Sequence, residues 1–164
     1  MTFDDLLHAN LRYREEFHDS GVAGKAAKGL AVLTCIDSRI DPLAMLGLRP
    51  GDAKIIRNAG ARVTDDSLRS LVLAANLLNV HRVCVVHHTD CAMVGQTPDG
   101  LRARISELTG VDASGWEFLP MTDQRATLRD DLARIRACPL LPPDLEVGGF
   151  VFDVHSGALE PVEE

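Results

Sequence analysis

Four polar side chains close an otherwise apolar run in VVHHTDCAMVG, residues 85–95: His87, His88, Asp90 and Cys91. His88 and Cys91 have the spacing of a short turn that can bend an imidazole and a thiolate onto one ion. His87 points to the other side of the chain if the strand is still extended there, and packs or hydrogen-bonds. On its own, H-x-x-C is also the pattern of a capping histidine beside a buried thiol. CIDSR, residues 35–39, offers another sulfur. Alternate residues of an extended chain share a side, so Cys35, Asp37 and Arg39 share one face if the extension continues to Arg39. A carboxylate two positions from an arginine can form a charge-assisted pair, which keeps Asp37 ionised and fixes its direction. The plain alternative is a core cysteine followed by a surface ion pair. Taken together, Cys35, His88 and Cys91 make a Cys₂His set that suits Zn²⁺ and leaves a fourth tetrahedral position open, as catalytic zinc requires.

Such a set works only if the fold brings the two motifs to one place. GLAVLTCID, residues 29–37, is a continuous apolar run suited to a buried strand. Asp41-Pro42 starts a helix, with Asp as cap and Pro at the first position, ending around Gly47. AKIIRNAG, residues 53–60, is a second strand running into a glycine loop. The next helix is capped by Thr64 and carries Leu68, Leu71, Val72, Ala75 and Leu78 along one face. RVCVVHH, residues 82–88, is a third strand. Residues 100–109 and 121–137 are helical in pattern, the second through Leu128, Leu132 and Ile135. GGFVFDV, residues 148–154, is a last strand before the turn HSGA. Ahead of all these, Phe3, Leu6, Leu7, Leu11 and Phe17 mark an amphipathic helix over residues 3–18. SGVAGKAAKG, residues 20–29, is a flexible connection, and residues 110–118 form the most flexible loop.

Alternating strands and helices predict an α/β fold with a mainly parallel central sheet flanked by helices. The chain divides into an N-terminal helical arm, residues 1–27, and an α/β core, residues 28–164, within a single domain, residues 1–164. In open α/β sheets ligands bind beyond the carboxyl ends of the strands, and parallel strands bring the CIDSR and HHTDC ends to the same edge.

Charge and composition narrow the partners. A formal charge of −7 with no basic stripe argues against nucleic acid. No apolar run reaches the ~20 residues that span a bilayer, so no membrane contact is expected. The acidic, helical amino terminus is no signal peptide, which makes a cytoplasmic location the default. Cys35, Cys84, Cys91 and Cys138 contain no C-x-x-C pair, and stable disulfides are rare in a reducing setting. Cys84 and Cys138 are read as packing residues. A phosphate loop is excluded at residues 20–29, where Asp19 and Ala26 stand in the places that need glycine and a hydroxyl.

C-x-D-S-R followed by H-x-x-C resembles the β-class carbonic anhydrases, and the order of elements from about residue 28 to residue 154 is similar as well. The short length and the TDD after RNAGARV resemble a compact bacterial branch of that family. The resemblance implies that Cys35, His88 and Cys91 are ligands of one Zn²⁺ per chain, with Asp37 and Arg39 as the catalytic dyad. It implies reversible hydration of CO₂ to bicarbonate by zinc-bound hydroxide, with Asp37 able to become the fourth zinc ligand in a closed state. It implies a homodimer or higher homo-oligomer in which the helical arm embraces the partner. Ala92-Met93 stands where many members have two glycines, so Met93 is expected to line or narrow the pocket.

The same metal chemistry would serve a carbonyl sulfide or carbon disulfide hydrolase, the alternative reading. A noncatalytic zinc or thiol sensor using Cys35 and Cys91 is a third, in which the Asp37–Arg39 pair would be superfluous. Asn58 and Gly60 are expected to shape the site by close backbone approach. Asp90 is expected to hydrogen-bond to the backbone of its own turn.

Overall fold

The alternation read from the sequence becomes five strands and five α-helices in a computed structural model that describes residues 2–19 and 21–163. The strands are Leu30–Cys35 (β1), Ala53–Asn58 (β2), Arg82–His88 (β3), Glu146–Phe152 (β4) and Leu159–Pro161 (β5). The helices are Asp4–Glu16 (α1), Pro42–Met45 (α2), Asp65–Leu77 (α3), Pro98–Thr109 (α4) and Gln124–Arg136 (α5). The sheet order is β2-β1-β3-β4-β5; the first four strands are parallel and β5 returns antiparallel to β4. The fold is therefore α/β with a mainly parallel central sheet. β5 has no counterpart in the sequence reading: at three residues, one of them proline, it is too short to show periodicity. Proline is tolerated there because β5 is an edge strand.

Local chemistry fixes the helix starts. Asp41 accepts hydrogen bonds from the N–H groups of Leu43 and Ala44, with Pro42 at the first helical position. Thr64 and Ser67 form a reciprocal capping box ahead of α3. Asp123 accepts from the Ala126 N–H, which explains why α5 begins at Gln124 and not at residue 121. Met121 is used otherwise, in an isolated parallel bridge to Val94.

The two faces of the sheet are covered unequally. On one, Ala31, Leu33, Val83, Val85 and Val151 pack against Leu71 and Ala74 of α3 and Leu128, Leu132 and Ile135 of α5. Burying each large aliphatic side chain contributes about 1.5–3 kcal/mol. Gly149 lets α5 approach β4, since a Cβ there would stand 2.7 Å from Leu132 Cδ1. On the other face, Val32, Cys84, Val86 and Phe152 meet Ile40, Ala61 and Met121. Beside them a groove of about 500 Å³ remains open, lined by Leu30, Leu46, Phe150 and Leu159 among others.

α1 buries no residue; Phe3, Leu6, Leu7, Leu11, Tyr13 and Phe17 are each 52–63% exposed. The connection expected to be flexible over residues 20–29 is tied down in its second half. Ala26 is buried, and the N–H groups of Ala26, Ala27 and Lys28 donate to Leu78, Gly51 and Asp52 carbonyls. Ser20 lies outside the described residues. The 110–118 loop is likewise held, by Ala113 N–H to Ser106 Oγ (2.9 Å) and Arg102 Nε–H to the Trp116 carbonyl (2.8 Å).

Candidate metal centre

β1 and β3 are adjacent and parallel, so their last residues, Cys35 and His88, come to the same sheet edge. The turn after β3 then carries Cys91 back to them. One sulfur or nitrogen atom from each of Cys35, His88 and Cys91 lies within 4.8 Å of the other two, and all three residues are buried. Among the described residues this is the one His/Cys/Asp/Glu group close enough to hold a metal ion.

The donor chemistry fits zinc. His88 Nδ1 lies 2.8 Å from the Thr89 carbonyl oxygen, which can only accept, so Nδ1 carries the proton. The lone pair is therefore on Nε2, and that atom is buried without a hydrogen-bond partner among the described residues. A buried, unpartnered acceptor is costly unless something coordinates it, and a carbonyl fixing the opposite nitrogen is how ligating histidines are oriented. Gln124 Nε2 donates to the His88 carbonyl at 2.8 Å, bracing the strand end.

The sulfurs are poised as well. The hydrogen bond from the Cys91 thiol pulls the Cys35 thiol far below its ordinary range, against the opposing cost of burial; the Gly60 N–H adds to the effect. The same bond, with burial, pushes Cys91 up. The two thiols thus share one hydrogen bond, and a metal held by both would displace its proton. Gly60 has φ +78°, and its N–H reaches Cys35 Sγ at 3.4 Å. A Cβ there would meet Met121 Cε at 3.3 Å, so the close approach expected of Gly60 is present. Asn58 acts differently: its side chain braces the Arg62 backbone through two bonds of 2.7 Å.

Asp37 and Arg39 do pair, but not by continued extension. The chain turns after Cys35, and Asp37 Oδ1 accepts from the Arg39 N–H at 2.9 Å. That turn swings the guanidinium back onto the carboxylate, with Nε–H to Oδ1 at 2.9 Å and Nη2–H to Oδ2 at 2.8 Å. Arg39 holds Asp37 well below the usual carboxylate range, and Asp37 in turn raises Arg39. Asp37 Oδ2 stands 3.9 Å from His88 Nε2.

Three residues contribute what the sequence reading did not assign. Arg57, on β2, donates to the carbonyls of Cys35 (2.9 Å), Asp37 (2.7 Å) and Ile40 (3.2 Å), clamping the whole CIDSR loop. Its signal was available only through pairing, because Arg57 neighbours that loop across a parallel register. Asp90 does not bond to its turn as expected; its Oδ2 accepts from Arg39 Nη1–H at 2.8 Å. Met121, from a distant loop, packs with Met93 against the cysteines. Met93 therefore borders the site, as its position suggested.

His87 is outside the Cys35, His88 and Cys91 cluster and is 1% exposed, with no hydrogen-bond partner at either nitrogen among the described residues. Burial lowers its pKa to about 4, so it is a neutral packed ring. Cys84 is buried in the sheet, as expected for a core thiol, and Cys138 is partly buried at the end of α5.

The family model described as carbonic anhydrase matches residues 30–113. β-Carbonic anhydrase 1 of Mycobacterium tuberculosis is 36% identical over 159 residues, which cover 97% of this chain and 96% of that one. A carbon disulfide hydrolase of Saccharolobus solfataricus is 32% identical over 154 residues, 79% of this chain and 75% of the relative. Among solved structures, the carbonic anhydrase from Streptococcus mutans superposes with a TM-score of 0.93 at 37% identity, covering 99% of this chain and 98% of that one.

Proposed function

The chain belongs to the β-class carbonic anhydrase family, and from that premise we propose that Cys35, His88 and Cys91 hold its zinc while Asp37 and Arg39 form its catalytic dyad. The protein is a zinc-dependent carbonic anhydrase, interconverting carbon dioxide and bicarbonate. The observation that carries the residue assignment is the unpartnered His88 Nε2, gathered with two cysteines and faced by a carboxylate that Arg39 holds in place.

When bound, zinc supplies the Lewis acidity that makes water a nucleophile near neutral pH. The protein's part is orientation. Asp37, ionised throughout the physiological range, can only accept hydrogen bonds. It accepts the O–H of the water-derived nucleophile and thereby turns an oxygen lone pair toward CO₂. Arg39 fixes the carboxylate during this step, because any rotation would misdirect the nucleophile. Ile40, Ala61, Met93 and Met121 make the surroundings apolar, which suits a small uncharged linear substrate. Asp37 bonded to Arg39 through both oxygens supports an open arrangement. In a closed state Asp37 would be the residue that supplies a fourth ligand to the metal.

Carbonyl sulfide or carbon disulfide hydrolysis is a second reading, favoured by the identity to the Saccharolobus solfataricus hydrolase. Parallel assays with CO₂, COS and CS₂ on zinc-loaded protein separate the two. CO₂ hydration exceeding sulfide release by a wide margin is expected; sulfide release in excess reverses the assignment.

The chain is further read as one domain over residues 1–164, an arm over residues 1–27 and a core over residues 28–164, acting as a homodimer. The exposed apolar side of α1 and the open sheet groove support an arm that covers the partner. A cytoplasmic location is supported by four cysteines without a disulfide. No helix among the described residues is long and apolar enough to cross a membrane.

A further inference from the structure

Arg39 serves two carboxylates. Its Nε–H and Nη2–H go to Asp37, its Nη1–H goes to Asp90 Oδ2 at 2.8 Å, and Nη2–H also reaches the Asp90 carbonyl at 3.0 Å. Asp90 sits in the turn between His88 and Cys91, so the guanidinium is fastened to the segment that carries two of the three metal-site residues. We propose that Asp90 is a positioning residue for the hydration reaction: it anchors Arg39 from the metal turn, and so holds Asp37 at the angle and distance the chemistry needs. This inference rests on the reading of Asp37 and Arg39 as the dyad.

The geometry favours this role over two plainer ones. Asp90 has φ +55°, a left-handed conformation that aspartate tolerates better than most residues. Backbone conformation alone could therefore account for its presence. Yet a residue kept only for its backbone has no reason to aim a carboxylate at the outer nitrogen of a guanidinium already engaged by Asp37. Nor is Asp90 a fold-stabilising ion pair of the buried kind. Its side chain is 64% exposed and that of Arg39 is 39% exposed, a setting where a pair contributes little to stability. What such a bond does supply is direction. A guanidinium held along its Nε–Nη2 edge by Asp37, and braced otherwise only by the neutral Asp90 carbonyl, can tilt about that edge; a second charge-assisted bond at Nη1 resists the tilt. The covalent path from Asp90 to Cys91 then sets the dyad relative to the ligands.

The test uses Asp90→Gly, which keeps the left-handed backbone free of strain while deleting the carboxylate, and Asp90→Asn, which keeps an acceptor without the charge. Three quantities are measured on zinc-loaded protein: zinc content, kcat/KM for CO₂ hydration, and solvent-exchange protection of the Arg39 Nε–H by nitrogen-15 NMR. The proposal predicts full zinc content in both variants. In Asp90→Gly it predicts loss of Nε–H protection together with a fall in kcat/KM of about ten- to a hundredfold, the scale of catalytic misplacement. Asp90→Asn should lie between this variant and wild type in both readouts. Wild-type protection in Asp90→Gly overturns the proposal whatever the activity does. So does lost protection with unchanged turnover, or a loss of zinc that matches the loss of activity. Should Asp37→Asn prove fully active, the dyad reading fails on its own account, and the Arg39 protection in Asp90→Gly still reports separately whether Asp90 anchors the guanidinium.

Discussion

Burial pushes the thiols of Cys35 and Cys84 the same way, up, and the hydrogen-bond donors around each decide where the net shift lands. Cys35 has hydrogen-bond donors around it and becomes acidic, whereas Cys84 has almost only apolar neighbours and burial drives its thiol up from 9.0 to about 12. A folded Cys84 therefore keeps its proton where an unfolded one loses it. The native state binds more protons between pH 9 and about 12, so stability must fall as pH rises through that window and be indifferent to Cys84 below it. Denaturant unfolding at about pH 8 and about pH 10.5 should show a steeper loss in wild type than in Cys84→Ala. Coincident slopes would contradict the assignment. At this scale the gathering of Cys35, His88 and Cys91 was legible because H-x-x-C and C-x-D-S-R place chemistry at short range. Asp90 was misread because its partner, Arg39, lies far away in the sequence: an aspartate in a turn signals a local bond, and nothing in its neighbours reveals the guanidinium.

Among the elements, strands β1 and β3 were visible as apolar runs, and α3 through its cap and its apolar stripe. The boundaries that shifted did so for identifiable reasons, as when Asp123 took the cap of α5 and left Met121 to bridge Val94. Arg57 went unassigned because its three acceptors are backbone carbonyls, which leave no trace in side-chain patterns. α1 shows the converse. Its apolar residues are plain in the sequence, but the described chain offers them no cover. If the arm packs on a second copy, a chain lacking residues 1–17 should sediment as monomer at concentrations where the full chain is a dimer. A truncated chain that remains dimeric would show that the arm is not what joins the subunits.

For the molecule as a whole, the sheet does the assembling. Parallel pairing of β1 with β3 brings together two motifs that are remote in sequence, and the α3 and α5 layer makes that sheet rigid from one side. The site therefore sits on strand ends backed by packed helices, the setting in which ligand geometry is best preserved. The sequence pattern carried this much because the strand ends coincide with the clustered cysteines and histidine. It could not carry the apolar lining, since Met121 arrives from a loop whose path depends on tertiary packing.

Zinc-edge X-ray absorption on the purified protein and on Cys35→Ser, with metal content measured on both, bears most directly on the central claim. The wild type should hold one zinc per chain with two sulfurs at about 2.3 Å and one imidazole nitrogen at about 2.0 Å, completed by a light atom. Cys35→Ser should lose one sulfur from the shell or lose the metal. A wild-type zinc without sulfur neighbours, or a Cys35→Ser protein that keeps zinc with both sulfurs, would contradict the account.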